Sequence, residues 1–102
     1  MRNRIKRKDD NQRAIIQVFE GSGCSVLDIS QVSDACDLVV GFPIGANVLC
    51  EIKNMDGAGD KLTPGESRFW SRWVGPLVLL RTEDDARDLI QRVAGGDGET
   101  LH

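Results

Sequence analysis

The stretch Cys36-Asp37-Leu38-Val39-Val40-Gly41-Phe42, then Pro43-Ile44-Gly45, then Ala46-Asn47-Val48-Leu49-Cys50-Glu51-Ile52-Lys53 decides the fold. In its first arm Cys36, Leu38, Val40 and Phe42 recur at every second position, so a strand is predicted with one apolar face and Asp37 on the other. The second arm repeats the pattern, with Val48, Cys50 and Ile52 on one face and Leu49, Glu51 and Lys53 on the other. Between them, Pro43 presets the first turn position and Gly45 accepts the left-handed one, which suits a three-residue hairpin loop. That register pairs Phe42 with Ala46 and sets Asp37 opposite Glu51, at the open end of the hairpin and beside Lys53.

Two adjacent carboxylates repel. Three arrangements relieve this: a solvated face, a raised pKa on one acid, or a divalent cation between them. Mg²⁺ takes oxygen ligands, keeps several waters and is held by one or two carboxylates plus substrate phosphate oxygens. A cation there polarises a phosphodiester and activates water, with Lys53 facing the developing charge, so the chemistry implied is phosphodiester hydrolysis. The Glu-x-Lys triplet alone is weak, since chance supplies one in roughly a third of chains this long. A half-exposed hairpin carrying ordinary surface charges is the competing reading.

Outward from the hairpin, residues 9 or 10 to 20 are predicted to form a helix that turns Ala14, Ile15, Val18 and Phe19 inward and stops at Gly21-Ser22-Gly23. Gln12 lies on its first turns. Residues 24–29 read as a first strand and lead into a polar connection, where Asp28 and Asp34 suit capping or surface roles better than ligation. After Lys53, residues 54–61 are glycine-rich and polar, as expected for a mobile loop. Thr63-Pro64-Gly65-Glu66 is a helix start with Thr63 as N-cap, Pro64 at the first helical position and Glu66 closing a capping box. In that helix Phe69, Trp70 and Trp73 share helical spacing; core packing is expected for Phe69 and Trp73, while Trp70 stays open between core packing and base stacking. Leu77-Val78-Leu79-Leu80 reads as a strand covered on both faces, and strand, helix, strand implies parallel pairing. A last helix, from 82 or 83 to 93, has Thr82 as N-cap and turns Ala86, Leu89, Ile90 and Val93 inward.

At 102 residues the chain suits one domain, expected over 9–94, with tails at 1–8 and 95–102. Net charge is −3, yet Arg2, Arg4, Lys6, Arg7 and Lys8 put five positive charges in the first eight residues. Such a tail is either a disordered solubilising arm or a phosphate-contacting one. No apolar run follows it, so neither a signal peptide nor a membrane span is expected. Three cysteines in predicted strands, without paired spacing, point to reduced thiols and a cytoplasmic protein. His102, the single histidine, ends the chain, so acyl-transfer triads have little support.

The order Asp37-Leu38-Val39-Val40-Gly41-Phe42, then Glu51-Ile52-Lys53, then Leu62-Thr63-Pro64 with Phe69 and Trp73, resembles the PD-(D/E)XK nuclease superfamily. Within it, the likeness is to small phage and bacterial nucleases of the VRR-NUC and Holliday-junction-resolvase type, over residues 9 to 93. It implies an α/β, restriction-endonuclease-like domain of helix, three-strand meander, helix, strand and helix around a mixed sheet. It also implies a Mg²⁺- or Mn²⁺-dependent endonuclease acting on DNA, selective for branched or junction structures. Asp37 and Glu51 resemble the metal-binding acids, Lys53 the catalytic lysine, and the Ile52 carbonyl a further metal ligand. Glu66 stands where relatives often carry a glutamine, and Gln12 where many carry a glutamate that joins the metal site. Cys36 departs from the usual proline before the Asp, and Gln12 is not an acid, which is expected to weaken metal binding. A catalytically inactive nuclease-fold binding module and a plain small α/β structural protein are the alternatives. Since a double-strand cut or junction resolution needs two active sites, a homodimer or larger even-numbered oligomer is expected, through the 77–80 strand or the Trp70 face.

Overall fold

Pro43-Ile44-Gly45 reverses the chain as its residue types require: Gly45 sits at φ +102°, Phe42 N–H donates to the Ala46 carbonyl at 2.8 Å, and Gly45 N–H donates back to Phe42. This turn fixes the register of the flanking strands, because shifting it by one residue would move every apolar side chain to the wrong face. The computed structural model of the chain describes residues 8–54 and 62–96. Most of the basic tail, most of the 54–61 loop and residues 97–102 lie outside the described residues.

The elements run α1 (Lys8–Gly21), β1 (Ser25–Asp28), β2 (Leu38–Gly41), β3 (Asn47–Ile52), α2 (Pro64–Arg72), β4 (Leu77–Leu80) and α3 (Glu83–Ala94). The sheet order is β1-β2-β3-β4, with the first three strands antiparallel and β4 parallel to β3. The result is a small α/β domain of three helices on a four-stranded mixed sheet. Val40 pairs with Val48 and Leu38 with Cys50, the expected hairpin register.

One face of the sheet carries the core. Leu38, Val40, Val48, Cys50 and Ile52 meet Ile15 and Phe19 from α1 and Ala86, Leu89 and Val93 from α3. Phe19 and Phe42 meet edge to face at 6.0 Å between ring centroids. Truncating a ring buried this fully costs about 3–5 kcal/mol. Ala14, Val18 and Ile90, expected inward, are only half-buried at the margin of this core.

Both capping boxes form. In α2, Thr63 takes the Glu66 N–H and Glu66 takes the Thr63 N–H; Thr82 and Asp85 do the same for α3. One expectation is corrected. Trp73 is not core: it is 39% exposed at the C-cap of α2, stacked on a half-buried Phe69, because α2 packs only thinly against the other elements. β4 is an edge strand, with buried Leu77 and Leu80 on opposite faces and half-buried Val78 and Leu79 between them. No helix among the described residues is long and apolar enough to cross a membrane.

Candidate active site

The hairpin register ends at Leu38–Cys50, one residue short of the expected Asp37–Glu51 pair. Asp37, just before β2, donates its N–H to the Cys50 carbonyl at 3.0 Å and accepts the Ile29 N–H on its own carbonyl at 2.9 Å, so its backbone is tied to the segments on both sides. Its side chain is fixed as well, because Oδ2 accepts the Ile52 N–H at 2.7 Å. Asp37 is therefore anchored to the same tripeptide that carries Glu51 and Lys53.

All three side chains are buried, with Asp37 5%, Glu51 2% and Lys53 7% exposed. The hairpin with ordinary surface charges is thereby corrected. A strand's alternation says which face a residue takes, whereas the covering of that face depends on segments far away in sequence. Buried carboxylates need compensating charge. Lys53 Nζ supplies part of it, lying 3.6 Å from Glu51 Oε2 and 3.1 Å from Glu66 Oε1. Burial pushes the Glu66 carboxyl up, but the Thr63 amide and Lys53 more than offset this and hold it below its ordinary range, with a hydrogen bond to Glu51 adding to the effect. Two carboxylates, Glu51 from β3 and Glu66 from the first turn of α2, thus face one ammonium. The Cys36 thiol senses the same charge: burial drives it up to about 11, with Glu51 and Asp37 contributing.

Comparison of the chain with protein-family models, curated proteins and solved structures finds no match.

The structure brings Glu51, Lys53 and Glu66 together and ties Asp37 to the Ile52 amide between the first two. It takes Gln12 elsewhere: its Nε2 donates to Asp28 Oδ2 at 3.1 Å, and Asp28 Oδ1 holds both the amide and the hydroxyl of Ser30. The Ser30 hydroxyl is the main reason the Asp28 carboxyl lies below its ordinary value. Gln12 and Asp28 together anchor α1 to the end of β1. Asp34 lies against Gly65 at the start of α2.

Asp37 and Glu51 are the two buried carboxylates of the site; among the described residues no group of three or more His, Cys, Asp or Glu is arranged to hold a metal. Two carboxylates with remaining positions left to water and phosphate fit Mg²⁺, which seldom uses an all-protein cage. Soft metals are poorly served, since Cys36 and Cys50 are buried and their thiols are held protonated.

One residue had no signal in the sequence. Asn11, on α1, is buried, and its Nδ2 donates to the carbonyls of Lys53 at 3.1 Å and Arg81 at 2.6 Å. It clasps the ends of β3 and β4 immediately after Glu51 and Ile52. An asparagine in a first helical turn looks like surface, and nothing local announces partners across the sheet.

Proposed function

We propose that this chain is a metal-dependent endonuclease that hydrolyses DNA phosphodiester bonds, selective for branched or junction DNA. The observation that carries this reading is the buried constellation of Asp37, Glu51 and Lys53, with Asp37 pinned by the Ile52 amide. Evolution rarely retains buried charges without use, because each costs several kcal/mol unless paired, roughly speaking.

In this reading Asp37 and Glu51 hold Mg²⁺ or Mn²⁺ with the Ile52 carbonyl. The bound cation supplies Lewis-acid polarisation of the phosphodiester and lowers the pKa of a water. Lys53 supplies a positive charge for the phosphate oxygens as the attacking water oxygen bonds to phosphorus and the ester P–O bond breaks. Glu66 positions the Lys53 ammonium, and Asn11 fixes the Lys53 backbone beneath it. The element order of helix, three-strand meander, helix, strand and helix is compatible with this reading.

The test is a cleavage assay with Mg²⁺ and with Mn²⁺ on linear, flap and four-way DNA, with Glu51→Ala as control. Metal-dependent cleavage that Glu51→Ala abolishes supports the reading; no cleavage of any substrate rejects it. The same reading places two sites in a homodimer or larger even-numbered oligomer, and light scattering with and without DNA decides between that and a nicking monomer.

A further inference from the structure

The other side of α2 carries a second constellation that hydrolysis does not use. Arg68 and Arg72, one helical turn apart, line a cleft of about 290 Å³ together with Phe69, Trp73, Gly65 and Asp34. Phe69 and Trp73 are stacked, with centroids 5.5 Å apart and planes 23° from parallel. Gly75 lies close to the Trp73 indole, where an added Cβ would come 3.0 Å from its Nε1. An aromatic pair that contributes nothing to the core, yet is fixed in place beside two exposed guanidinium groups, is shaped as a platform.

We propose that this cleft binds one unpaired nucleotide of the DNA strand, its base stacked on Trp73 and its phosphate held by Arg68 and Arg72. The chemistry matches part by part: every base has a π-face that an exposed indole can stack, and arginine forks fit phosphate oxygens. Duplex DNA keeps its bases stacked on each other and cannot offer a face to Trp73. Asp34 makes the cleft asymmetric. Its carboxylate lies so close to Gly65 that a Cβ there would collide with it, and it repels phosphate from that end while accepting hydrogen bonds from base amino groups.

The cleft's size is near the lower limit of small-molecule sites, about 300 Å³, which suits one nucleotide and no more. Its place on the helix ties it to the chemistry. Arg72 is six residues beyond Glu66, about 9 Å along the axis at about 1.5 Å per residue. A strand threaded past Lys53 covers that distance in roughly three nucleotides at about 3.4 Å each. This inference rests on the nuclease reading for its substrate, and it adds that the enzyme engages a single-stranded segment next to the cut.

Binding is measured on full-length protein in EDTA, so that cleavage plays no part. In a Trp70→Phe background Trp73 is the single indole, since the chain has two tryptophans. Titration with a short oligothymidylate quenches Trp73 saturably, while a blunt duplex of equal length does not. In anisotropy measurements with labelled oligothymidylate, Trp73→Ala lowers affinity about 5- to 150-fold, the range of one stacked base. Arg68→Ala and Arg72→Ala each lower the log–log salt slope by about 0.7. Both are exposed, so these variants keep the test decisive even where Trp73→Ala folds poorly. Unchanged affinity and slopes, or equal quenching by duplex, overturn the cleft assignment even if Mg²⁺-dependent cleavage is intact. Quenching and slope changes without any cleavage leave the cleft standing and reject the nuclease reading instead.

Discussion

The Lys53 ammonium donates to Oε1 of Glu66 at 3.1 Å, and the same oxygen accepts the Thr63 N–H at 3.0 Å. One carboxylate atom thus closes the cap of α2 and holds the lysine of the proposed site, so the helix start and the lysine move together. Because the folded Glu66 carboxyl is held below its ordinary 4.5, its contribution to stability is complete above that pH. It is lost as pH falls through the lower folded value. Glu66→Gln keeps an oxygen for both donors but removes the charge. We expect it to flatten the acid limb of the stability curve, read by urea unfolding between neutral and acidic pH, and an unaltered limb would assign the acid loss to other carboxylates.

Lys53→Ala removes a cation from between two buried or half-buried carboxylates. The expected destabilisation is about 3–5 kcal/mol, as for other buried pairs broken from one side. Under conditions where the variant is folded, turnover should fall by orders of magnitude while DNA affinity changes little, because Lys53 acts on charge that develops in the transition state. Equal losses in rate and affinity would make it a plain phosphate contact.

Asp37→Asn separates the structural from the metal-binding role of that side chain. The amide oxygen still accepts the Ile52 N–H, so the melting temperature should stay near wild type, whereas the charge proposed to hold a cation is gone. Calorimetry with Mn²⁺ should show affinity reduced by more than the roughly 10–100-fold typical of outer-shell partners. Wild-type affinity would place any metal site elsewhere.

The hairpin and both helix starts were legible because their signals are local. Pro43 and Gly45 set the turn, and the turn sets the register as far as Leu38 opposite Cys50. Thr63 and Glu66 announce their cap by type and spacing. Burial was harder to read. The alternation of Leu49, Glu51 and Lys53 describes a face without saying what covers it, and the spacing of Phe69 and Trp73 is the same whether or not a partner lies opposite. Least legible was Asn11, whose two acceptors lie 42 and 70 residues away.

The thiols give a simple check of the core. Burial pushes Cys24 and Cys50 upward and Cys36 up to about 11, and all three are free and buried. Since the thiolate is the reacting form, Ellman's reagent at mildly alkaline pH should find almost no reactive thiol in the native protein and three after denaturation. Rapid native reaction of one thiol would show that its strand opens locally.

Asn11 offers the sharpest test of how the site is braced. Its amide nitrogen faces two carbonyls, so Asn11→Ala leaves the Lys53 and Arg81 oxygens without that donor at an expected cost of about 1–3 kcal/mol. Asn11→Asp is nearly isosteric but turns a negative oxygen toward both carbonyls, and should cost more than the alanine. Because the clasp lies directly behind Lys53, both variants should lower the turnover number more than DNA affinity at a temperature where they remain folded. Denaturant midpoints at constant m decide the order of stability. An aspartate tolerated better than alanine would mean that the side-chain nitrogen does not face the two carbonyls, and the brace between α1 and the ends of β3 and β4 would have to be redrawn.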